Sequence, residues 1–174
     1  RATKERAEVT VPRDHLRLRP AGEPPPGLAA AKAAAEYLTT PYVFGGKSRL
    51  GLDCSGLTGV AWAAARVTLP RDAKQQILVG TVIATPYYLP PLEPGDLLFF
   101  GSVREGRPRA THVAMYTGDT EFIHASGMVR INSLDPSRTN FNRYRRNTLI
   151  GVRRITGTPY GEGIQPVAGH PWYK

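Results

Sequence analysis

The stretch Gly51-Leu52-Asp53-Cys54-Ser55-Gly56 passes from a glycine turn into an apolar run and carries the only cysteine of the 174-residue chain. Apolar residues recur at helical spacing over residues 57–64, which predicts a helix that begins at Cys54. Free amides at the start of a helix favour an anion, and the thiolate is the nucleophilic form of cysteine. Cys54 is therefore a candidate nucleophile. The alternative is a small buried apolar side chain.

Two histidines fall in apolar segments that predict a β-hairpin, residues 112–116 and 121–125. If the loop is residues 117–119, counting back along the strands places His112 directly opposite His124 on the same face. One imidazole could then act as the base for a thiol while the other orients it. A loop one residue longer or shorter would place them on opposite faces.

Two other interpretations of the histidines stay open at this point. They could be unrelated, separately hydrogen-bonded core residues. They could also form a zinc site with Cys54 and Asp53, although no pair of these residues has the usual spacing of a metal motif. We assign no metal site, and His15 and His170 receive no role.

The pattern of elements predicts an α+β fold, with helices first and an antiparallel sheet afterwards. We expect a helix over residues 27–39, ended by Pro41, then the helix from Cys54, and a short helix from Asp72 to Leu78 with Asp72 as its N-cap. Strands are expected at the following segments: 97–100, 112–116, 121–125 and 151–155. Residues 104–110 are expected to form a charged loop.

The charge is concentrated late in the chain. Lys and Arg number 23 against 14 Asp and Glu, and residues 130–154 carry seven arginines against Asp135 alone. That segment could bind nucleic acid, dock on an anionic polymer or an acidic substrate, or form a solvated face with local ion pairs. Because it matches no nucleic-acid-binding motif, we expect no nucleic-acid partner.

Composition excludes several classes of protein. One cysteine cannot form an intramolecular disulfide, so the chain is not a disulfide-stapled mini-domain. No stretch approaches the roughly 20 apolar residues of a membrane span, so we expect no transmembrane segment. The apolar content of 41% is adequate for a folded core.

Six segments, in this order, resemble the NlpC/P60 family of cysteine peptidases. Pro41–Gly46 is similar to the family's Pro-Tyr-x-Trp-Gly-Gly segment, with Phe44 in place of Trp, and Asp53–Gly56 is similar to its nucleophile motif. The other segments are Leu69–Asp72 followed by Gln75 or Gln76, Pro94–Phe100, Thr111–Tyr116 and Phe122–Ser126. The resemblance covers residues 28 to 156.

The resemblance implies a papain-like fold, with N-terminal helices on a five- or six-stranded antiparallel sheet. It implies that Cys54 is the nucleophile, His112 the general base and His124 the residue that orients His112. The implied reaction is hydrolysis of the γ-D-glutamyl-diamino acid amide in peptidoglycan stem peptides or muropeptides, with no cofactor.

Similarity to the subgroup with bacterial SH3 (SH3b) modules implies a substrate with a free N-terminal L-Ala. In that subgroup a Tyr, the Asp before the nucleophile and the Ser after it line the substrate site, and these fall on Tyr42, Asp53 and Ser55. Asp53 would pair with the substrate amine, Tyr42 would help to stabilise the oxyanion, and Asp72 is a further candidate binding residue.

The resemblance also divides the chain. Residues 1–26 are similar to the end of an SH3b-like module followed by a Pro-rich linker, residues 27–157 form the catalytic domain, and residues 158–174 a tail. An envelope location is expected, periplasmic or secreted, with cytoplasmic muropeptide recycling as the other location. Two rival functions stay open: a non-catalytic wall-binding module, and a thiol acyltransferase on the same fold.

Overall fold

The computed structural model describes residues 26–85, 88 and 91–155, together with the backbone of residues 165–166. The helices in this part of the chain are α1 (Pro26–Ala35), α2 (Cys54–Ala64), α3 (Ala73–Gln76) and α4 (Arg143–Thr148). The strands are β1 (Lys47–Ser48), β2 (Gly51–Leu52), β3 (Val67–Thr68), β4 (Thr81–Ala84), β5 (Leu97–Arg104), β6 (Arg107–Gly118), β7 (Glu121–Ser126), β8 (Met128–Ser133), β9 (Leu149–Arg154) and β10 (Gln165–Pro166).

The main sheet has six antiparallel strands in the order β4-β9-β5-β6-β7-β8. This confirms the predicted α+β class and the five- or six-stranded antiparallel sheet. Two short two-stranded sheets, β1-β2 and β10-β3, lie outside it. Strands β4 and β8 and helix α4 are not among the elements predicted from the sequence.

Both faces of the first half of the central strand β5, residues 97–100, are buried, which explains its unbroken apolar run. Leu97 and Phe99 pack in the same cluster as residues of α1 and α2, whereas Leu98 and Phe100 pack in a second cluster on the other face. All four side chains are fully buried. Because a strand alternates its side chains between faces, a strand buried on both sides needs apolar residues throughout.

Helix α2 packs against α1 through small side chains. The alanines of α1 at positions 30, 31 and 34 are buried, which lets the two helices approach closely. The buried face of α2 contains Leu57, Ala61 and Trp62, whereas Ala64, expected in the apolar stripe, is exposed. Trp62 is therefore a core residue that the predicted stripe missed.

Two helices end earlier than predicted. Helix α1 ends at Ala35 rather than residue 39, because the chain tightens into a turn in which the N–H of Leu38 bonds the carbonyl of Ala35 at 3.2 Å. Thr39 then takes a positive φ of 69°, which no helix continues. Helix α3 ends at Gln76 rather than Leu78.

The prediction of a charged loop over residues 104–110 is wrong. Those residues are the ends of strands β5 and β6, with Arg104 paired to Arg107 across a two-residue turn. Glu105 and Gly106 both have positive φ, 52° and 71°, as a tight hairpin turn requires. This end of the hairpin is largely exposed, so it has no apolar alternation that would reveal the strands.

The predicted SH3b-like segment over residues 1–26 and the tail over residues 158–174 fall almost entirely outside the described residues. Pro26 opens α1, and the main sheet ends at Arg154. In the described part of the chain, we find no helix with both the length and the apolarity to cross a membrane.

Candidate active site

Cys54 is the first residue of α2, and the residue before it caps the helix. Asp53 has an extended backbone, and its side chain accepts a hydrogen bond from the N–H of Gly56 at 2.7 Å. This is the N-cap geometry that aspartate favours. A Cβ added to Gly56 would lie 2.1 Å from the carbonyl oxygen of Gly46, so only glycine fits. The chain that approaches the helix at Gly56 is therefore the turn at Gly46.

The two histidines lie in contact, although not directly opposite each other. Strand β6 pairs Met115 with Ile123 and Tyr116 with Phe122, so the register differs by two residues from the predicted one. The prediction of direct opposition is wrong because the turn lies later, at residues 119–120, with an irregular pairing before it. A shift of two residues keeps both side chains on one face. His112 Nε2 lies 2.8 Å from His124 Nδ1, and the rings meet edge to face.

Asn132, on the unpredicted strand β8, extends this chain of contacts. Its Oδ1 lies 2.9 Å from His124 Nε2, and its Nδ2 donates to the carbonyl of Asn140 at 3.0 Å. Asn142 Nδ2 also donates to Asn132 Oδ1, at 3.2 Å. No sequence pattern pointed to Asn132, because residues 128–133 show no clear strand signal.

These amides determine which nitrogens of the histidines carry a proton. Asn142 Oδ1 accepts the N–H of Arg145 at 3.0 Å, so its amide nitrogen must be the donor to Asn132. Asn132 Oδ1 is then an acceptor, so His124 Nε2 must carry a proton and donate to it. His124 Nδ1 must accept from His112 Nε2–H. Nδ1 of His112 is left with a free lone pair, as a general base requires.

The sulfur of Cys54 lies in a buried environment beside β6. Cys54 is 9% exposed, and the backbone amides that act on its thiol include that of Val113, the residue after His112. Burial raises the pKa of the Cys54 thiol, and the Asp53 carboxylate raises it further, against the lowering effect of the nearby amides. In the free site, burial and the Asp53 carboxylate outweigh the nearby amides and favour the neutral thiol.

The histidines are also held neutral. Burial lowers the pKa of His112, and the positive charge of Arg145 and the neighbouring His124 lower it further. The pKa of His124 is lowered by burial, partly offset by the hydrogen bond to Asn132. In the free site, the lowered pKa values of the histidines and the raised pKa of Cys54 favour neutral imidazoles beside a neutral thiol.

The carboxylate of Asp53 is occupied within the protein. Arg71 binds both of its oxygens, with Nη1 at 3.0 Å from Oδ1 and Nη2 at 2.6 Å from Oδ2. Its other donors are the N–H groups of Gly45 and Gly56 and the hydroxyl of Ser55. Burial alone would raise the pKa of Asp53, but these hydrogen bonds hold it below its ordinary value. Sequence reasoning gave Arg71 no role.

The other predicted site residues, Ser55, Tyr42 and Asp72, differ in exposure and in their contacts. Ser55 is buried and accepts Arg71 Nη1 at 3.0 Å, so it belongs to the Asp53 cluster. Tyr42 is 38% exposed, and burial together with the charges of Cys54 and Asp53 raises the pKa of its hydroxyl, which keeps it a neutral donor. Asp72 caps α3, and its half-exposed side chain has Lys74 at 3.7 Å.

Gln76, rather than Gln75, supports the first turn of α2. It is fully buried, and its Nε2 donates to the carbonyl oxygens of Ser55 and Pro70 at 3.2 and 2.9 Å. Its Oε1 accepts the hydroxyl of Thr58 at 2.8 Å. Gln75 accepts the N–H of Asp72 at the start of α3. Gln76 thus ties the Arg71 segment to the helix that carries Cys54.

A cavity of about 370 Å³ lies beside this junction. Ser55, Gly56 and Val60 of α2 line one side, and Leu69 and Arg71 line the other. The walls are mainly apolar with a few polar groups, which is the usual character of a ligand site. Among the described residues, no group of three or more His, Cys, Asp and Glu side chains is arranged to hold a metal ion.

Comparison with known proteins gives one consistent family. The NlpC/P60 family profile matches residues 39–154. The chain is 36% identical over 70% of its length to Dipeptidyl-peptidase 6 of Lysinibacillus sphaericus, of which it covers 41%. It is 35% identical over 59% of its length to Gamma-D-glutamyl-L-lysine dipeptidyl-peptidase of Bacillus cereus, covering 29% of that protein. The chain thus spans well under half of these two relatives.

A shorter relative and two solved structures give the same family. Probable endopeptidase NlpC of Escherichia coli is 43% identical over 67% of this chain and is covered to 70%. An NlpC/P60 family protein from Bacillus cereus has a TM-score of 0.60 at 31% identity, over 75% of this chain and 41% of that one. The NlpC/p60 domain of the peptidoglycan hydrolase SagA has a TM-score of 0.58 at 28% identity, over 74% of this chain and 98% of that one.

Proposed function

The chain belongs to the NlpC/P60 family, and from that premise we propose that it is a cysteine-type peptidoglycan endopeptidase. The bond hydrolysed is the γ-D-glutamyl-diamino acid amide of stem peptides. Cys54 is the nucleophile, His112 the general base, and His124 the residue that orients His112. The observation that carries the proposal is the hydrogen-bonded series Asn132–His124–His112, which leaves a lone pair on His112 Nδ1.

The mechanism starts from the neutral pair. His112 takes the thiol proton as Cys54 attacks the carbonyl carbon, so that charge develops on the carbonyl oxygen only while substrate is bound. Backbone N–H groups at the start of α2, with the Tyr42 hydroxyl, stabilise that oxyanion, and one such donor contributes about 3–4 kcal/mol. His112 then gives the proton to the leaving amine, and water hydrolyses the thioester.

Asn132 and His124 act through His112. By fixing the tautomer, they ensure that His112 presents a basic nitrogen, and their neutrality avoids a buried charge before substrate arrives. His124 and Asn132 are thus positioning residues. Catalysis itself is assigned to Cys54, His112 and the oxyanion donors.

We further propose that the substrate has a free N-terminal L-Ala. Two relatives are named dipeptidyl-peptidases, and an enzyme of that kind removes two residues from a free amino end. Because Asp53 is already bound by Arg71 and three other groups, we assign the amine to Asp72, whose half-exposed carboxylate directly follows Arg71. This differs from the sequence-based expectation, which gave the amine to Asp53.

An envelope location and a preceding SH3b-like module complete the proposal. Peptidoglycan is an envelope polymer, and the relatives named above include a peptidoglycan hydrolase, which supports action there. The SH3b-like module is supported by the resemblance of residues 11–17 to the end of such a module.

The test is hydrolysis of L-Ala-γ-D-Glu-diaminopimelate with a free and with an acetylated N-terminus, followed by mass spectrometry. The native enzyme should release the L-Ala-D-Glu dipeptide from the free peptide, and Cys54→Ala should give only background. Activity retained in Cys54→Ala would exclude this sulfur as the nucleophile. Equal cleavage of the acetylated peptide would reject the free-amine requirement and leave the endopeptidase assignment intact.

The same assay separates the rival functions. In water enriched in heavy oxygen, a hydrolase places the label in the new carboxylate of the dipeptide, whereas an acyltransferase forms an unlabelled amide or ester. A wall-binding module would give no product from any peptide while still retaining wall material.

A further inference from the structure

Among the described residues, the late basic segment, residues 130–154, has two arginines with an acidic partner and five without one: Arg130, Arg143, Arg145, Arg146 and Arg153. Arg138 pairs with Asp119 at the surface. Arg154 binds Asp96 through Nε and Nη2, both at 2.7 Å, and also pairs with Glu93. These ion pairs account for part of the segment's charge without any ligand.

Arg145 has no such partner. It lies on α4, partly buried, with its guanidinium carbon 5.5 Å from the centre of the Phe100 ring and 5.3 Å from that of Tyr144. Within the part of the chain that the structure describes, no carboxylate lies within ion-pair distance of it. A partly buried cation without an anion is unfavourable, and a bound anion would offset this cost.

The position of Arg145 relates it to the general base. The Phe100 ring below its guanidinium lies 5.8 Å from the ring of His112. Its charge acts on His112, His124 and Cys54. Because the general base must reach the nitrogen of the leaving amine, the residue that leaves binds next to His112. Arg145 therefore faces the leaving-group side of the cleft.

Resting on the proposed function, we propose that Arg145 binds the side-chain carboxylate of the departing diamino acid. The enzyme thereby prefers a diaminopimelate-type residue to lysine. A guanidinium binds a carboxylate through two parallel hydrogen bonds, and this geometry is specific to planar anions. The lysine side chain ends in an ammonium group without a carboxylate, so Arg145 would repel it.

The proposal separates this chain from a relative that it resembles. The Bacillus cereus protein at 35% identity is named for a γ-D-glutamyl-L-lysine bond. Family membership alone would therefore allow lysine at this position. The unpaired guanidinium beside His112 is the feature that points to an anionic leaving residue.

The experiment compares three L-Ala-γ-D-Glu peptides that all end in a C-terminal amide. The third residue is diaminopimelate with a free side-chain carboxylate, the same residue with that carboxylate amidated, or lysine. At about pH 8, where a histidine of ordinary pKa near 6.5 is neutral, we expect kcat/KM to be about 10- to 100-fold higher for the free carboxylate. Arg145→Gln should remove most of this preference by lowering kcat/KM for that peptide.

The matched control is Arg146→Gln, which makes the same charge change one residue later on α4 and should keep the preference. Arg145→Lys retains the charge without the paired donors and should show an intermediate preference, which guards against a folding defect in Arg145→Gln. Equal rates of the native enzyme on the free and amidated peptides would overturn the proposal, as would an undiminished preference in Arg145→Gln. Hydrolysis of none of the three peptides would instead reject the proposed function.

Discussion

Two arginines close to the same cysteine serve different ends, and the contrast lies in their partners. Arg71 is bound through both terminal nitrogens to the two oxygens of Asp53, and it also donates to Ser55. Arg145 stacks over Phe100 and has no acidic partner among the described residues. Burial raises the pKa of Cys54. Of the two arginines, only the unpaired Arg145 lowers the pKa of His112. Net charge alone therefore cannot tell a structural arginine from one available to a ligand.

The largest effect is expected from a substitution that leaves Arg71, like Arg145, without an acidic partner. Asp53→Ala removes the N-cap of α2 and the acceptor of five donors, and it leaves the Arg71 guanidinium without its anion. Removing the buried carboxylate of an ion pair together with a helix N-cap costs about 3–5 kcal/mol. We expect the free energy of unfolding to fall by that amount, measured by urea denaturation, with loss of activity.

Asp72→Ala is the control for this change, since Asp72 is also an N-cap beside Arg71 but is half exposed. Loss of an N-cap alone costs about 0.5–2 kcal/mol, so the two variants should differ clearly. If Asp53→Ala were no less stable than Asp72→Ala, the Arg71–Asp53 ion pair would not stabilise the fold more than an exposed N-cap does.

A second prediction concerns Asn132, whose side-chain amide bonds His124 and Asn142, the residue that caps the helix of Arg145. Asn132→Leu keeps the approximate size of the side chain but leaves His124 Nε2–H and Asn142 Nδ2 without an acceptor. A buried donor left unpaired costs about 1–3 kcal/mol, so we expect kcat to fall roughly 5- to 150-fold while KM changes little.

Asn132→Asp provides the rescue. A carboxylate would still accept from both donors and keep the same tautomer, but it cannot donate to the carbonyl of Asn140, so only part of kcat should return. Its negative charge would also raise the pKa of His124 and His112, which moves the acid limb of the pH profile to higher pH. If Asn132→Leu and Asn132→Asp were equally impaired with unshifted pH profiles, Asn132 would only support the strand.

The local parts of the site could be predicted from sequence, because they depend on neighbouring residues. Asp53 as a cap, Cys54 at the start of a helix and the buried run of β5 each follow from a few consecutive side chains. The placement of both histidines on one face also depends on strand periodicity. Even there the register was predicted two residues away, because the irregular turn after Tyr116 has no clear sequence signature.

The remaining parts depend on contacts between distant segments. Arg71 meets Asp53 across 18 residues, and Asn132 meets His124 only because β8 pairs with β7. Helix α4 is six residues long, with no buried residue to mark it in the sequence. No local pattern could have shown which of the seven late arginines would pair with a carboxylate and which would lie beside the histidines.

The smallest expected effect is a shift in the pH profile. This measurement separates the effect of the Arg145 charge on His112 from the proposed contact of Arg145 with substrate. The acid limb of kcat/KM reports protonation of the free enzyme's base, His112. Burial, the largest cause, together with Arg145 and His124, holds the pKa of His112 below its ordinary value of about 6.5, so activity should persist below that pH.

Arg145→Gln removes one positive charge, which makes protonation of His112 less unfavourable and raises its pKa. The acid limb should move to higher pH but stay below about 6.5, because burial remains. The other charged group acting on the histidine pair, Arg130, is unchanged. The measurement uses the amidated peptide, which has no carboxylate on the leaving residue, and Arg146→Gln as the control. Two outcomes would contradict this prediction: an acid limb that moves to lower pH in Arg145→Gln, or one that moves equally in Arg145→Gln and Arg146→Gln. Either would show that Arg145, like the paired Arg71, does not set the protonation of His112.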